Sequence, residues 1–388
     1  MTVRAGRYGW VLRRLRLLTS LLILGSAQGV LAMTNLNVTS WSPITANNAT
    51  PNGTADDAPA FQAALIAITN AGGGELYIPA GNYYFNSKVA IANGESLGIT
   101  IRGEAGTAIY VNNTAGFIKL QFKGATTPEV TIRNLTIISL KGSATENAGT
   151  AIEVTGGGLA NQRVATVSNV KMRGQMGGPQ YFKRGVVVTS CYRPLIANCS
   201  FSRTTSTDMS DTSPNFYPDV GFDISDCYAA VIQECSVTGA KTAYLFDGTP
   251  ARASEDGAIR NSTANYCRTG VHFHEDIGVE PTFWVTGCDI TALSNGVEVI
   301  NRRICNITDN VFRQLSSSCS LADVKLTNVH LGYVLRNTFP GALTGVRTNV
   351  VVDAASLDVI IKGNTWGSRG KSVQLPANFV ARRIECQN

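Results

Sequence analysis

Cys191 and Cys199 return as Cys227 and Cys235, each displaced by 36 residues, and the displacement carries more than the cysteines. Gly185-Val-Val-Val-Thr-Ser-Cys superimposes on Gly221-Phe-Asp-Ile-Ser-Asp-Cys, and Leu195-Ile-Ala-Asn-Cys-Ser-Phe on Val231-Ile-Gln-Glu-Cys-Ser-Val. The same opening recurs at Gly270-Val-His-Phe-His and Gly296-Val-Glu-Val-Ile, and more weakly at Ala243-Tyr-Leu-Phe-Asp and Leu321-Ala-Asp-Val-Lys. Starts at 185, 221, 243, 270, 296 and 321 leave intervals of 36, 22, 27, 26 and 25. A period in the twenties with variable insertions marks a solenoid. Each unit holds short β-branched runs split by Asn, Gly or Ser, with no helical periodicity. The fixed leucine pattern of leucine-rich repeats is absent. The expectation is an all-β chain, a single-stranded right-handed parallel β-helix, in which each coil adds a strand to every sheet and inward residues stack on their equivalents.

Composition removes several function classes. Only 15% of the 388 residues are charged and 44% are hydrophobic, too apolar for a disordered chain. The net charge of +6 is concentrated at the start, where Arg4, Arg7, Arg13, Arg14 and Arg16 fall. The remainder is nearly neutral, which argues against a nucleic-acid binder driven by phosphate neutralisation. No apolar run approaches the ~20 residues of a membrane span.

The basic head Arg13-Arg14-Leu15-Arg16 precedes a short apolar run, small residues and Val30-Leu31-Ala32, an A-x-A-like cleavage site. Residues 1–32 read as a signal peptide, so the mature chain is expected to be secreted or periplasmic, in an oxidising compartment. Residues 33–74 form an N-terminal extension and capping helix, and 75–388 the parallel β-helix with a C-terminal tail.

The segment Thr54-Ala-Asp-Asp-Ala-Pro-Ala-Phe-Gln-Ala-Ala-Leu65 leads through Gly72-Gly73-Gly74 to Glu75-Leu-Tyr-Ile-Pro-Ala-Gly-Asn-Tyr83. It resembles the opening of the pectate-lyase-like parallel β-helix superfamily, which includes phage tailspike depolymerases and secreted polysaccharide-degrading enzymes. Asp57 suits the cap of a short helix over 57–69 and Pro59 its first turn. Phe61, Ala64, Leu65 and Ile68 would then plug the open end of the coil, where exposed strand edges invite aggregation. The resemblance implies a lateral groove that takes a polysaccharide substrate. Tailspike relatives are trimers, so it also raises a homotrimer, although no trimerisation domain is recognisable after Trp366.

Strand alternation places the candidate site. With the residue after each start glycine turned inward, Val186, Phe222, Tyr244, Val271 and Val297 form one inner ladder. Val188, Ile224, Phe246, Phe273 and Val299 form a second. The outward column between them reads Val187, Asp223, Leu245, His272, Glu298, and the next reads Thr189, Ser225, Asp247, His274, Ile300. Coils lie about 4.8 Å apart, so Asp223, Asp247, His272, His274 and Glu298 should share one patch. Asp223, Asp247, His274 and Glu298 are the expected catalytic groups, because carboxylates on adjacent coils can separate into one raised and one ordinary pKa. Substrate contacts are expected from His272, Arg252, Arg268, Lys241, Trp284 and Tyr217, some of them on the insertions 203–219 and 248–256 that flank this wall. Asp208, Asp211 and Glu255 are alternative acids on those loops. Asp226, Asp289 and Asp309 read as turn residues.

All nine cysteines lie at or beyond residue 191, without a CxxC or a Cys/His zinc spacing, so no metal or other cofactor is expected. A reduced inward ladder is favoured, while bridges Cys191–Cys227 and Cys199–Cys235 fit the coil spacing. The Asn-x-Ser/Thr triplets, at Asn134, Asn198 and Asn261 among others, need no more than Asn/Ser/Thr bias.

Three functions remain. An enzyme could cleave a polysaccharide, by hydrolysis with a carboxylate pair or by β-elimination with His272 or His274 as base and Arg252, Arg268 or Lys241 neutralising a uronate. The alternative is a non-catalytic β-helix that binds glycan or supports a surface assembly. The third is an epimerase, whose typical Asp-Pro-His-Asp signature is missing. The calcium-binding Asp clusters of pectate lyases and the paired Asp of polygalacturonases are also missing, which argues against pectin.

Overall fold

Parallel pairing runs through the whole chain. In the computed structural model, which describes residues 34–42, 48–94, 98–122, 129–142, 146–157, 164–176, 178–203, 218–248, 254, 256–275, 282–313, 322–339, 348–367 and 373–376, the strands pair in register with their equivalents one coil away. The chain is a right-handed parallel β-helix. Three stacks of strands form its walls. Sheet I contains Arg184–Thr189, Val220–Ser225, Thr242–Gly248, Thr269–Glu275 and the first part of Val297–Thr308, each paired with the next. Sheet II runs through Leu195–Ala197, Val231–Gln233, Ala258–Arg260 and Thr282–Thr286. Sheet III runs through Ser200–Ser202, Ser236–Thr238, Thr263–Cys267 and Asp289–Ala292. Long strands such as Val297–Thr308 and Ala322–Leu335 bend from sheet I into sheet II and link the stacks.

Both expected inner ladders are present. Val188 pairs with Ile224, Ile224 with Phe246, Phe246 with Phe273 and Phe273 with Val299, all of them buried. The start glycines recur because there is no room for a side chain. A Cβ on Gly185, Gly221, Gly270 or Gly296 would lie 2.4–2.6 Å from the carbonyl oxygen of the next coil.

The bend from sheet II to sheet III explains the asparagines. Asn134, Asn169, Asn198, Glu234, Asn261, Asp309 and Arg336 take left-handed backbone there, with φ from 48° to 60°. Asn and Asp reach this region at the lowest cost after glycine. Asn134, Asn198 and Asn261, the asparagines of three Asn-x-Ser/Thr triplets, are therefore bend residues. Asp226 also has positive φ, whereas Asp289 opens a strand.

The residue after each bend points inward. Cys199, Cys235, Ser262, Cys288, Asn310, Asn337 and Asn364 make one buried column. Its side chains cap backbone N–H groups of neighbouring coils: Cys288 N donates to Asn310 Oδ1 at 2.9 Å, and Asn337 N to Asn364 Oδ1 at 2.7 Å. The seven described cysteines are buried and unbridged; Cys319 and Cys386 lie outside the described residues.

The helix spans Ala58–Asn70 and buries Phe61, Ala64, Leu65 and Ile68 against the first coils, with Phe61 edge-on to Phe85 at 4.8 Å. Asp57 occupies the cap position but makes no side-chain cap bond. Its carboxylate instead accepts the N–H groups of Thr50 and Tyr84, at 2.8 and 3.0 Å, tying the helix to the coil beneath it. The strand register begins ahead of the helix, where Thr34–Asn37 pairs with Gly74–Ile78, and continues past Trp366 to Val373–Gln374. Among the described residues no helix is long and apolar enough to cross a membrane. Residues 1–33, with the expected leader and cleavage site, lie outside them.

Candidate active site on the outer wall of sheet I

The outward column of sheet I is continuous in register: Asp223 pairs with Leu245, Leu245 with His272, His272 with Glu298 and Glu298 with Lys325. The column beside it pairs Ser225 with Asp247, Asp247 with His274 and His274 with Ile300. The five residues expected to share a patch do so.

Glu298 is the centre of a three-coil chain of charge. Oε2 lies 3.0 Å from Nδ1 of His272, and Oε1 accepts Lys325 Nζ at 2.8 Å. The hydrogen bond from His272, with Lys325 adding to it, pushes the Glu298 carboxyl down to about 2 against the opposing effect of burial. The two cations hold the Glu298 carboxyl in its ionised form, which suits a base or a positioning group better than a general acid. What it can do is hold His272 with Nδ1 turned toward its own coil. The second ring nitrogen, Nε2, lies at the end of the ring away from the backbone, and the His272 side chain is partly exposed.

His274 is turned the other way. Its Nδ1 lies 3.4 Å from Asp247 Oδ1, on the preceding coil. The two rings are 6.2 Å apart between centroids. The two imidazoles lean on carboxylates of opposite neighbouring coils, an arrangement that suits two separate tasks rather than one shared ion. Among the described residues no three His, Cys, Asp or Glu side chains converge on a metal position.

Asp223 is nearly enclosed, with 8% of its side chain exposed. Burial raises its carboxyl pKa, opposed by the hydroxyl of Ser225 at 3.1 Å and by the guanidinium of Arg184 at 3.3 Å. Arg184 comes from the coil on the side away from Leu245. A raised carboxyl on one side of Leu245 and an imidazole with an ionised partner on the other make an acid and a base with separate environments.

The substrate-binding expectations divide. Lys241 and Arg268 stand just ahead of the sheet I strands on the coils of Leu245 and His272. Lys241 Nζ donates to Asp219 at 2.6 Å, and Arg268 is exposed. Trp284 is half-buried on the outer face of sheet II, paired with Ala258 and Asn306. It is not on the wall that carries the cluster, because the chain has already turned the corner after Glu275. Tyr217 and Arg252, with Asp208, Asp211 and Glu255, lie outside the described residues. Sequence reasoning missed Lys325 and Arg184. Lys325 is the outward residue of the weak repeat Leu321-Ala-Asp-Val-Lys, so continuing the column by one coil would have found it. Arg184 precedes its start glycine, a position that the repeat comparison left out.

The family described as rhamnogalacturonase A/epimerase, pectate lyase-like, matches residues 41–298. No curated protein matches by sequence. Among solved structures, the A-module of the mannuronan C-5 epimerase AlgE6 of Azotobacter vinelandii is similar with a TM-score of 0.59 at 15% identity, covering 88% of this chain and 96% of that one. The AlgE4 A-module of the same organism gives 0.56 at 16%, covering 92% and 100%. The surface adhesin PfbA of Streptococcus pneumoniae gives 0.50 at 14%, covering 88% and 99%. At these identities the likeness is one of fold.

Proposed function

Because the chain belongs to the rhamnogalacturonase A/epimerase, pectate lyase-like family, we propose that it is a polysaccharide-cleaving enzyme that works on sheet I by β-elimination from a uronate-containing glycan. The observation that carries this reading is the Glu298–His272 pair at 3.0 Å. Glu298 accepts the Nδ1 proton, and the lone pair at Nε2 is free to act as base. Nε2 takes the proton from the sugar carbon next to the carboxylate. The electron pair left behind forms the new carbon–carbon double bond as the neighbouring carbon–oxygen bond breaks. The departing oxygen takes a proton from the Asp223 carboxyl, whose raised pKa suits a donor. Negative charge that builds on the uronate is met by Arg268 and Lys241, on the coils of His272 and Leu245. Lys325 and Glu298 are positioning residues. The basic and apolar leader supports export, and secreted material should begin near Met33.

Hydrolysis is the second reading, and one observation favours it. Asp223 and Asp247 are diagonal neighbours on adjacent coils, about 8 Å apart at the backbone from the strand spacing and rise, and Asp247 acts electrostatically on the Asp223 carboxyl, as a carboxylate pair for hydrolysis would. Asp223 would then be the acid and Asp247 the base, with His274 orienting it.

The test is incubation with a panel of acidic polysaccharides: a polygalacturonate, a polymannuronate and bacterial exopolysaccharides. Elimination produces a new reducing end together with the ultraviolet absorbance of an unsaturated uronate. Hydrolysis produces the reducing end alone, and Asp247→Asn abolishes it. Binding without either product identifies a non-catalytic glycan binder.

A further inference from the structure

The outward column of sheet I is polar or charged from Asp223 to Lys325 at every coil but one. Leu245 stands between Asp223 and His272, half-buried, with its side chain outward. An apolar side chain left partly in water is the exception in this column between Asp223 and Lys325. Three features around it converge. His272, held through Nδ1 by Glu298, is the register neighbour of Leu245 on one side. Asp223, a buried carboxyl, is its register neighbour on the other. Lys241 stands four residues before it, just ahead of its strand. Two coil steps separate Asp223 from His272, about 9.6 Å at the backbone, enough for one pyranose ring with a proton donor and a proton acceptor at its two edges.

From this arrangement we infer that Leu245 is the floor of the subsite that receives the reacting sugar, and that this subsite takes a uronate ring lying with its C–H face on the leucine. The inference rests on the elimination reading for the chemistry, and on Leu245 alone for the binding. A pyranose has one face lined by C–H groups, which gains by covering apolar surface, and its hydroxyls then point toward the charged rim. The leucine also keeps the space between acid and base free of a side chain that could bond to either. A carboxylate or amide here would pair with His272 or Asp223 and close the gap. The half-exposed Ile300 beside Glu298 marks where a neighbouring ring could rest along the same wall.

The experiment measures binding and cleavage separately. Binding of a hexameric polygalacturonate and a hexameric polymannuronate is followed by calorimetry in the His272→Ala background, which does not turn over, and kcat/KM is measured in the otherwise intact protein. Leu245→Asp is expected to weaken binding of the preferred hexamer more than about tenfold and to reduce kcat/KM on the order of a hundredfold or more, because a carboxylate on the floor repels the uronate. Leu245→Met should stay within about threefold of the parent in both. Leu245→Thr, which suits a strand and adds no charge, should raise KM with kcat nearly unchanged, and it serves if Leu245→Asp does not fold. Binding by Leu245→Asp and Leu245→Thr equal to that of the parent overturns the floor, and so does a parent that binds neither hexamer. If His272→Ala cleaves as the wild type does, the elimination reading fails while the binding result still decides the role of Leu245.

Discussion

Glu298 reaches one coil back along the solenoid and meets Nδ1 of His272 at 3.0 Å, while Lys325 from the coil ahead holds its other oxygen at 2.8 Å. Three successive coils thus cooperate on the orientation of one imidazole. The solenoid supplies the spacing, because side chains at equivalent positions lie about 4.8 Å apart whatever the length of the intervening loops.

Glu298 should stabilise the fold in a pH-dependent way. Its carboxyl falls from 4.5 to about 2 on folding, so its contribution is present above the unfolded value and lost as pH falls through the folded one. Glu298→Gln should lower the melting temperature at neutral pH, and the gap to wild type should narrow steadily from about pH 5 toward pH 2. A gap that is constant with pH would contradict the ion pair.

Asp223 should behave in the opposite sense. Burial raises its pKa above 3.8, so its ionised form is a cost to the fold that grows as pH rises through the folded value. Asp223→Asn is expected to leave the melting temperature at neutral pH unchanged or higher. Loss of the proton donor should still lower turnover on the order of a hundredfold or more. Thermal denaturation and initial rates on the same preparation check both halves.

The alternation of inward and outward residues along Thr269–Glu275 can be read as energy. Phe273 is fully buried and packs on Phe246 at 5.1 Å, whereas His274 lies in the outer column. Phe273→Ala should cost about 3–5 kcal/mol and His274→Ala within about 0.5 kcal/mol, measured by urea denaturation. Similar costs at the two positions would contradict the register.

The buried thiols should be silent in the folded protein. Burial raises the pKa of Cys227, Cys267, Cys288 and Cys305. A bulky thiol reagent should therefore leave these four cysteines unmodified until denaturant is added, and reductant should not change the melting temperature. Loss of stability on reduction would instead reveal bridges such as Cys199–Cys235.

The solenoid and its register were legible because repetition shows on the page: Val188, Ile224, Phe273 and Val299 could be stacked without knowing any contact. The histidine strand was legible for the same reason, since i and i+2 must face the same way. The partners were less legible. Glu298 looked like a candidate acid, and only its two close contacts show that its ionised form is favoured. Asp57 was assigned to a helix cap by composition, yet its oxygens serve Thr50 and Tyr84, which no local pattern announces. Trp284 was placed near the cluster by its distance along the chain, but a coil of three sheets sends nearby residues to different walls.

The most direct measurement is the product released from an acidic polysaccharide by wild type and by His272→Ala, with reducing ends and unsaturated uronate quantified in the same samples. The account predicts equal amounts of both from the wild type, and a loss of both on the order of a hundredfold or more in His272→Ala. Reducing ends without unsaturated product, or a His272→Ala variant as active as the wild type, would contradict it.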